Sequence, residues 1–332
     1  MADGTGSTWR ERLFLEQRSP WRVVTVAQLE AEGVSWRRRQ ALVAAGELEP
    51  AGPGVLIVGP ACTGPERWWQ QAAARLLSAG PDAVLIGRAA AAVWGLDGFE
   101  IGNEPLSVDV PSSSGRRAGV RRIRALEPGR TCRGLAVTAP AQTLLDLGAF
   151  VADGLDRGRG LRPLGAADVV ELALEAALRA GLVQLDDVER LLIQAGRSRR
   201  GRRVVAEVLG RRPPGAPPTE SYLETRGIQV LRDAGLVGFE RQVWVHLGRA
   251  GRRVRVDLFC DGRVIEFDGR DPHAEHHTRD RRRWNALADE NVPLRIFTWD
   301  DVEHNPLGLV TSVRRLLDEP PSADLRVSRA AA

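Results

Sequence analysis

The sequence predicts a multi-domain α/β protein, and three observations support this class. At 332 residues, 43% of them hydrophobic and 27% charged, the chain is long enough to bury several separate cores. Helical patterns alternate with strand-like runs through its middle and C-terminal parts. The segment RRPPGAPP, which ends at Pro218, cannot continue a helix and is typical of a semi-rigid linker. The predicted divisions are residues 1–58, 59–212, 213–218 (the linker), 219–317 and 318–332 (a disordered tail).

Arginine supplies all of the basic side chains. The sequence contains no lysine, so its 47 basic residues are all arginine, and the formal net charge is +4. Arginine suits bidentate contacts with phosphate and guanine. Codon bias in a GC-rich genome explains the missing lysine more simply, but it still limits the chemistry to arginine.

The cysteines and the apolar runs indicate the compartment. Cys62, Cys132 and Cys260 are odd in number, far apart and without ligand-like spacing, so neither a disulfide framework nor a zinc ribbon is indicated. No apolar stretch is long enough to cross a bilayer, and the N-terminus lacks the basic-then-apolar order of a secretory signal. We expect a cytoplasmic protein that does not associate with membranes.

Residues 1–58 are predicted to form a winged helix-turn-helix. Thr25 and Gln28 make a capping box for a short helix ending at Gly33, and Ser35 caps a second helix. The segment ELEPAGPGVLIVG then supplies a Pro/Gly turn before an apolar strand, as a wing requires. The first turn of the second helix carries the candidate DNA contacts, which are Trp36, Arg37, Arg38 and Arg39. The helix dipole disfavours positive charge there, and a DNA phosphate would relieve that cost. A helical hairpin with solvated arginines is the alternative.

Residues 59–212 are predicted to form a mixed α/β region without catalytic spacing. ERWWQQAAARLLSAG and ADVVELALEAALRAGLV have helical patterns, whereas PLSVDVP is strand-like. Trp68 and Trp69 are expected to pack in a core rather than to stack on bases.

Residues 219–317 follow the order α, β, β, β, α, β. TESYLETRGIQVLRDAG is helical, RQVWVHL, RRVRVDLF and RVIEFD are strands, and RDRRRWNALADE and PLRIFTW complete the order. That order resembles the core of the restriction-endonuclease-like, or PD-(D/E)XK, fold. The predicted C-terminal domain is therefore an αβββαβ restriction-endonuclease-like domain.

A predicted hairpin places the acidic residues of this domain. Asp261-Gly262 is a strong signal for a two-residue type I′ turn. With this turn, Leu258 faces Ile265 and Asp257 faces Glu266. Strand alternation then predicts a polar face with Arg255, Asp257, Glu266 and Asp268, and an apolar face with Val254, Val256, Leu258, Ile265 and Phe267.

Two carboxylates directly opposite each other repel, so the pair needs a positive charge nearby. Arg255, which faces Asp268, supplies one if this is a salt-bridged solvent face. Mg²⁺ or Mn²⁺ supplies one if it is a metal site, since Mg²⁺ binds through one or two carboxylates together with waters and phosphate oxygens. A bound metal also lowers the pKa of water for attack on a phosphodiester. With a facing pair and Asp268 two residues further on, we favour the metal.

The C-terminal segments also carry a family resemblance. SYLETRGIQVLRDAG, RVDLF, VIEFDG, RDRRRWNAL and PLRIFTWDDV look like uncharacterised actinobacterial nuclease-like domains related to very-short-patch-repair (Vsr) endonucleases. The resemblance implies site residues Glu224, Asp257, Glu266, Asp268, His273, Asp280 and Arg283. The lysine of the E-x-K motif is absent, since Glu266-Phe267-Asp268 stands in its place, so its electrostatic role falls to arginine, histidine or the metal. His273, His276 and His277 compete for acid/base work, with solvated histidines as the alternative.

The N-terminal part resembles a second family. GVLIVG and the later TAPAQTLLDLGA are similar to AbiEi-type proteins of type IV toxin-antitoxin systems. Those proteins have a winged-helix DNA-binding head and counter a nucleotidyltransferase toxin. The resemblance implies DNA and such a toxin as partners.

Together, these patterns predict a Mg²⁺-dependent DNA endonuclease whose winged-helix head positions it on duplex DNA. The expected roles are metal binding by Asp257, Glu266 and Glu224, assistance by Asp268, acid/base work by His273 or His277, and further DNA contacts by Arg279 and Arg283. The alternative is a transcriptional repressor or antitoxin with a catalytically decayed nuclease-like domain. The missing lysine favours that alternative.

Overall fold

The computed structural model describes residues 9–16, 21–104, 106, 108–109, 120–121, 125–152, 164–248, 251–269, 274–322 and 325–328. Helices and strands alternate along the chain, and the described strands form three sheets, so the mixed α/β class is confirmed. No helix in these ranges is long and apolar enough to cross a membrane.

The helices, in chain order, are α1 (Trp9–Glu16), α2 (Val26–Ala31), α3 (Trp36–Ala44), α4 (Gly64–Ala79), α5 (Gly87–Val93), α6 (Pro140–Ala152), α7 (Ala166–Arg179), α8 (Leu185–Ala195), α9 (Arg202–Arg211), α10 (Tyr222–Asp233), α11 (Ala274–Asp289), α12 (Trp299–Glu303) and α13 (Pro306–Asp318). The strands are β1 (Val23–Thr25), β2 (Leu48–Gly52), β3 (Val55–Val58), β4 (Val84–Leu85), β5 (Val108–Asp109), β6 (Val120–Arg121), β7 (Arg130–Cys132), β8 (Leu135–Val137), β9 (Glu240–Leu247), β10 (Arg252–Cys260), β11 (Arg263–Asp268), β12 (Leu294–Thr298) and β13 (Arg326–Ser328).

The chain divides into two compact units, and neither is continuous in sequence. The first comprises residues 1–150 and 185–202, and the second comprises residues 151–184 and 203–332. The Pro-rich segment 213–218 therefore lies inside the second unit. The second unit also includes α7 and nearly all of α9, both of which precede that segment.

After α1 and β1, the first unit continues with two short helices and a hairpin, in the predicted order. The Thr25 amide donates to Gln28 Oε1 at 2.7 Å, which closes the capping box, and Ser35 Oγ accepts from the Arg38 amide at the start of α3. Gly33, at φ +75°, makes the tight turn between α2 and α3. β2 and β3 then pair antiparallel, and β1 completes a sheet of order β1-β3-β2.

The hydrophobic core of the first unit crosses the predicted boundary at residue 58. Trp21 stacks on Trp69 with ring centroids 5.6 Å apart, and Val55 and Ile57 belong to the same buried cluster. Trp68 and Trp69 are buried, so they pack in the core as expected. β1 and β3 thus share this core with α4, whereas Leu29 and Val34 belong to a separate buried cluster.

The second unit is built around a five-stranded sheet of order β12-β11-β10-β9-β13. Asp261 and Gly262 both have positive φ, 44° and 75°, as a type I′ turn requires. The pairing of Leu258 with Ile265 confirms the predicted hairpin register. β12 joins β11 in parallel.

The predicted division into one apolar and one polar face is wrong. Val254 and Val256 share a buried cluster with Phe259, whereas Leu258 belongs to a second cluster, so the alternation reverses within β10. The reversal coincides with a gap in the β9–β10 ladder where Asp257 would meet Gln242, which has φ +55°. Both faces of the sheet are therefore apolar, and the acids lie where the ladder is distorted.

The last residues of the chain also differ from expectation. Residues 318–332 were predicted to be a disordered tail, but Arg326–Ser328 form β13, which pairs antiparallel with β9. Val327 lies opposite Val245 in this pairing. Backbone hydrogen bonds to β9 explain why this segment forms a strand, because three residues are too few to show a strand pattern in the sequence.

Buried ion pairs join α7 to the rest of the second unit. The Glu175 side chain is 3% exposed and contacts two buried arginines, Arg212 of the loop after α9 and Arg241 of β9. One turn earlier, Glu171 pairs with Arg232 of α10 at 2.8 Å. A buried charge is tolerated only when it is paired in this way.

Replacing Glu175 with glutamine should strongly destabilise the second unit. Glu175→Gln leaves Arg212 and Arg241 buried without a counter-charge, and such a loss costs about 3–5 kcal/mol. The matched control is Glu207→Gln, which removes a half-exposed partner of Arg211 and should cost at most about 1 kcal/mol. Denaturant unfolding of the full chain measures both; equal effects would show that the buried pairs do not stabilise this unit.

Candidate functional site

Glu224 enters the site from the first turn of α10. Ser221 caps this helix by accepting a hydrogen bond from the Glu224 amide at 3.0 Å. The Glu224 side chain is buried, with Oε2 accepting from the Glu220 amide at 2.7 Å and Oε1 accepting from Gln242 Nε2 at 2.9 Å. Its carboxyl group is therefore held by two amide donors rather than by an arginine.

Asp257 and Glu266 meet where the β10–β11 ladder ends. The last backbone pair is Leu258 with Ile265, and beyond it Asp257 Oδ2 accepts from the Phe267 amide at 2.8 Å. Glu266 is completely buried. The side chain of Asp257 thus takes over a hydrogen bond that the backbone of β10 would otherwise make.

Arg283 and Trp284 of α11 hold one oxygen of Glu266. Arg283 Nη2 lies 2.5 Å from Oε2, and Trp284 Nε1 donates to the same atom at 3.4 Å. Oε1 is buried and has no hydrogen-bond partner among the described residues. Since a buried carboxylate oxygen normally has a partner, this atom is an unsatisfied acceptor of the site; Nε of Arg283 is likewise buried and without a partner among the described residues.

Gln242 connects the acids to Arg255. Its Oε1 accepts from Arg255 Nε at 2.7 Å while its Nε2 donates to Glu224, and Arg255 also pairs with Glu220. Arg255 therefore does not bridge Asp257 and Glu266 as a salt-bridged solvent face would require. Gln242 has a positive φ within a strand, a strained conformation that needs support from its surroundings.

Burial shifts all three carboxyl groups toward the protonated form. Burial, and then the nearby Asp257 charge, raises the pKa of Glu224 to about 8. The same two causes raise the pKa of Glu266 well above its usual range despite Arg283. Burial also raises the pKa of Asp257, although the hydrogen bond from the Phe267 amide lowers it. A cation placed here would favour the charged forms and would displace protons.

The described side chains do not form a closed metal cage. Within the described residues, no group of three or more histidine, cysteine, aspartate or glutamate side chains is arranged to hold a metal ion. Mg²⁺ requires less than such a cage, since one or two carboxylates with water and substrate oxygens suffice. The oxygen donors of Asp257, Glu266 and Glu224 suit a hard divalent cation of this kind.

The remaining predicted catalytic residues fall into two groups. Asp268, half-buried, is the last residue of β11 and pairs through its backbone with Thr298. His273 lies outside the described residues, as do the side chains of His276, His277 and Arg279, although the last three positions belong to α11. The acid/base role therefore stays a prediction.

Arg283 occupies a different position from the one expected of a DNA contact. Its guanidinium pairs with Glu266 and, at 3.3 Å, with Asp280 one turn earlier in α11. A fully buried carboxylate demands such a counter-charge, which explains why this arginine points into the site. Arg283 thus makes an internal ion pair with Glu266, and its contact with DNA stays a prediction.

In the first unit, the predicted DNA contacts of α3 divide by exposure. Trp36 is 64% exposed, and Arg37 and Arg38 are exposed as well. Arg39 is buried; it donates to the Val34 carbonyl at 3.0 Å and pairs with Glu30 at 2.9 Å. The expectation for Arg39 is wrong, because this arginine ties α3 to α2 and to the turn between them.

Gln242 and Glu220 are the site residues that the sequence patterns missed. Gln242 lies in the same phase of β9 as Trp244 and His246, opposite to the apolar Val243, Val245 and Leu247, so the alternation gives no sign that it is buried. Glu220 immediately precedes the helix cap and contacts Arg255. Finding either residue requires the β9–β10 register, which no turn signal in the sequence fixes.

Comparison with known proteins adds no family assignment. No protein-family model matches the sequence, and no curated protein matches it. The Vsr-like and AbiEi-like resemblances therefore stay predictions.

The raised pKa of Glu224 predicts a specific dependence of stability on pH. The folded protein binds this proton up to about pH 8, whereas the unfolded chain releases it near 4.5, so stability should fall as pH rises between these values. One proton contributes a slope of about 1.4 kcal/mol per pH unit. Glu224→Gln should remove that contribution, as measured by chemical unfolding across this range.

The control for this measurement is Glu207→Gln, which removes an exposed carboxylate and should leave the slope unchanged. A Glu224→Gln variant with the wild-type slope would mean that Glu224 titrates normally.

Proposed function

We propose that this protein is a divalent-metal-dependent phosphodiester hydrolase acting on DNA. The observation that carries the proposal is the proximity of Asp257 to both Glu224 and Glu266, whose pKa values its charge raises, with Oε1 of Glu266 buried and unpartnered among the described residues. Carboxyl groups that repel one another in a buried setting are costly to stability, so they are typical of a functional site. Among the ligands that relieve this repulsion, a cation fits best.

The surrounding residues prepare the acids for such a cation. Phe267 orients Asp257, Gln242 holds Glu224, and Arg283 fixes one oxygen of Glu266 while leaving the other unbound. Mg²⁺ or Mn²⁺, when bound, would supply Lewis acidity and neutralise charge on a phosphate. Arg283 provides the positive charge that lysine would provide in an E-x-K motif.

Proton transfer requires a further group. The raised pKa of Glu224 suits it to hold a proton near neutral pH, but its two amide partners fix it as a positioning group. His273 and His277 remain our candidates for the base that accepts a proton from the attacking water.

Plasmid nicking in the presence of Mg²⁺ or Mn²⁺ tests the proposal. Wild type should nick, whereas Asp257→Asn and Glu266→Gln should lose at least about 100-fold in rate, as expected when charge stabilisation is removed from a reaction centre. Asp261→Asn, at an exposed position in the adjoining turn, is the matched control and should retain wild-type activity. Equal nicking by wild type and by both site variants would refute the assignment.

A second function, DNA binding without hydrolysis as a repressor or antitoxin, is favoured by a separate observation. Trp36, Arg37 and Arg38 form an exposed surface on α3, next to a hairpin in the position of a wing. The ion pair of Arg283 with Glu266 and the absence of lysine also suit a nuclease-like domain that no longer catalyses. A nucleotidyltransferase toxin is the partner that this function would imply.

Charge removal on α3 should separate binding from folding. Arg37→Gln/Arg38→Gln should weaken duplex binding and lower the slope of log affinity against log salt by about 1.8, the value for two lost phosphate contacts. Its melting temperature should stay at the wild-type value. Arg39→Gln should instead lower the melting temperature, because it removes the buried hydrogen bond to the Val34 carbonyl and the ion pair with Glu30. A salt slope unaffected in the double variant would exclude α3 as the DNA-binding surface.

A further inference from the structure

Three basic side chains lie side by side across three strands of the second unit. Arg253 of β10 pairs with His246 of β9, and His246 pairs in turn with Arg326 of β13. Directly paired residues place their side chains on the same face of a sheet, about 4.5–5.5 Å apart at Cβ. We call Arg253, His246 and Arg326 the basic row.

The basic row is exposed and lacks internal neutralisation. All three side chains are solvent-exposed, and no described carboxylate forms an ion pair with Arg253 or Arg326. Elsewhere in this unit the described arginines with buried side chains contact acids, as Arg226 contacts Glu303. Arg253 and Arg326 flank His246 on the same face of the sheet, so one external anion can contact both guanidinium groups.

An open groove accompanies the row. The row, with Arg252, Gly248 and Gly251, lines a concavity of about 510 Å³, and none of the described residues that line it is acidic. The two glycines contribute no side chains that would cover it. The groove therefore offers space beside a concentration of positive charge.

Existing contacts already order two of the arginines. Arg253 stacks over the Trp244 ring with its guanidinium carbon 4.5 Å from the centroid, and Arg252 Nη2 donates to the Arg282 carbonyl at 3.1 Å. Pre-ordered side chains lose less entropy when they bind a ligand. A guanidinium that stacks on a ring keeps its N–H groups available at its edge.

We infer that the basic row binds the phosphate backbone of duplex DNA, an inference that rests on the proposed function for the choice of polyanion. Arg253 precedes Asp257 by four residues on β10, about 13 Å along the strand. This length corresponds to about four base-pair steps of a duplex. A duplex bound at the row is therefore long enough to span the distance along β10 to the position of Asp257, whose neighbours Glu224 and Glu266 are buried.

Fluorescence anisotropy with a labelled DNA duplex in EDTA tests the inference with the full chain. Arg253→Gln/Arg326→Gln should lower the slope of log affinity against log salt by about 1.8. The matched control, Arg314→Gln/Arg315→Gln, removes the same charge from exposed positions on α13 and should keep the wild-type slope. Equal slopes for both double variants would overturn the inference, since the effect would then reflect net charge alone.

A conservative double variant, in which lysine replaces both arginines, controls for misfolding. Arg253→Lys/Arg326→Lys keeps both charges and should retain the wild-type slope, because the slope depends on the number of phosphate charges that the protein neutralises. If Arg253→Lys/Arg326→Lys lowers the salt slope as much as Arg253→Gln/Arg326→Gln does, the basic row does not act by neutralising phosphate charge, and the inference fails.

Nicking distinguishes this inference from the proposed hydrolysis. Asp257→Asn should bind DNA in EDTA with wild-type affinity but fail to nick it. A wild type that never nicks, combined with a slope change in the row variant, would refute the hydrolase and support the row. Nicking that depends on Asp257, combined with an unchanged salt slope in Arg253→Gln/Arg326→Gln, would support the hydrolase and refute DNA binding by the basic row.

Discussion

The second unit depends on the pairing of buried carboxylates with arginine. Glu171, Glu175, Glu266 and Glu303 are buried acids that each contact at least one arginine, and these contacts connect helices that are distant in sequence. A chain without lysine makes all such pairs with a planar, always-charged group, which can bind a carboxylate through two nitrogens. Glu224 departs from this arrangement among the described residues, since its carboxyl contacts are amides. That departure locates the site, because a cluster of acids with too little counter-charge can bind a cation.

The parts of the fold that depend on local signals were predictable. Asp261-Gly262 fixed the β10–β11 register, and the capping residues Thr25 and Ser35 marked where α2 and α3 begin. The limits of the compact units were not predictable, because they depend on contacts between distant segments. The acidic positions 168, 171 and 175 lie on one side of α7, but no pattern in the sequence says which arginines they meet.

In the candidate site, too, the features set by local sequence signals were predictable, and those set by contacts between distant segments were not. The hairpin placed Asp257 next to Glu266, but it did not reveal that the ladder ends at this pair or that Gln242 distorts the neighbouring strand. The sequence also does not tell which of several consecutive arginines is buried. Arg37, Arg38 and Arg39 are chemically identical, and only packing against α2 distinguishes Arg39. Arg283 illustrates a third case, because the sequence does not reveal that its guanidinium pairs with Glu266 inside the protein.

The short strand β13 has a consequence for how the protein behaves at high concentration. β9 is eight residues long and would otherwise be an edge strand, with unpaired amides and carbonyls able to template pairing with another chain. β13 covers part of that edge and replaces it with an edge of only three residues that begins with an arginine, a poor template for aggregation. Proteolytic trimming of the last few residues would therefore leave the elements of the candidate site intact while making the protein more prone to self-association.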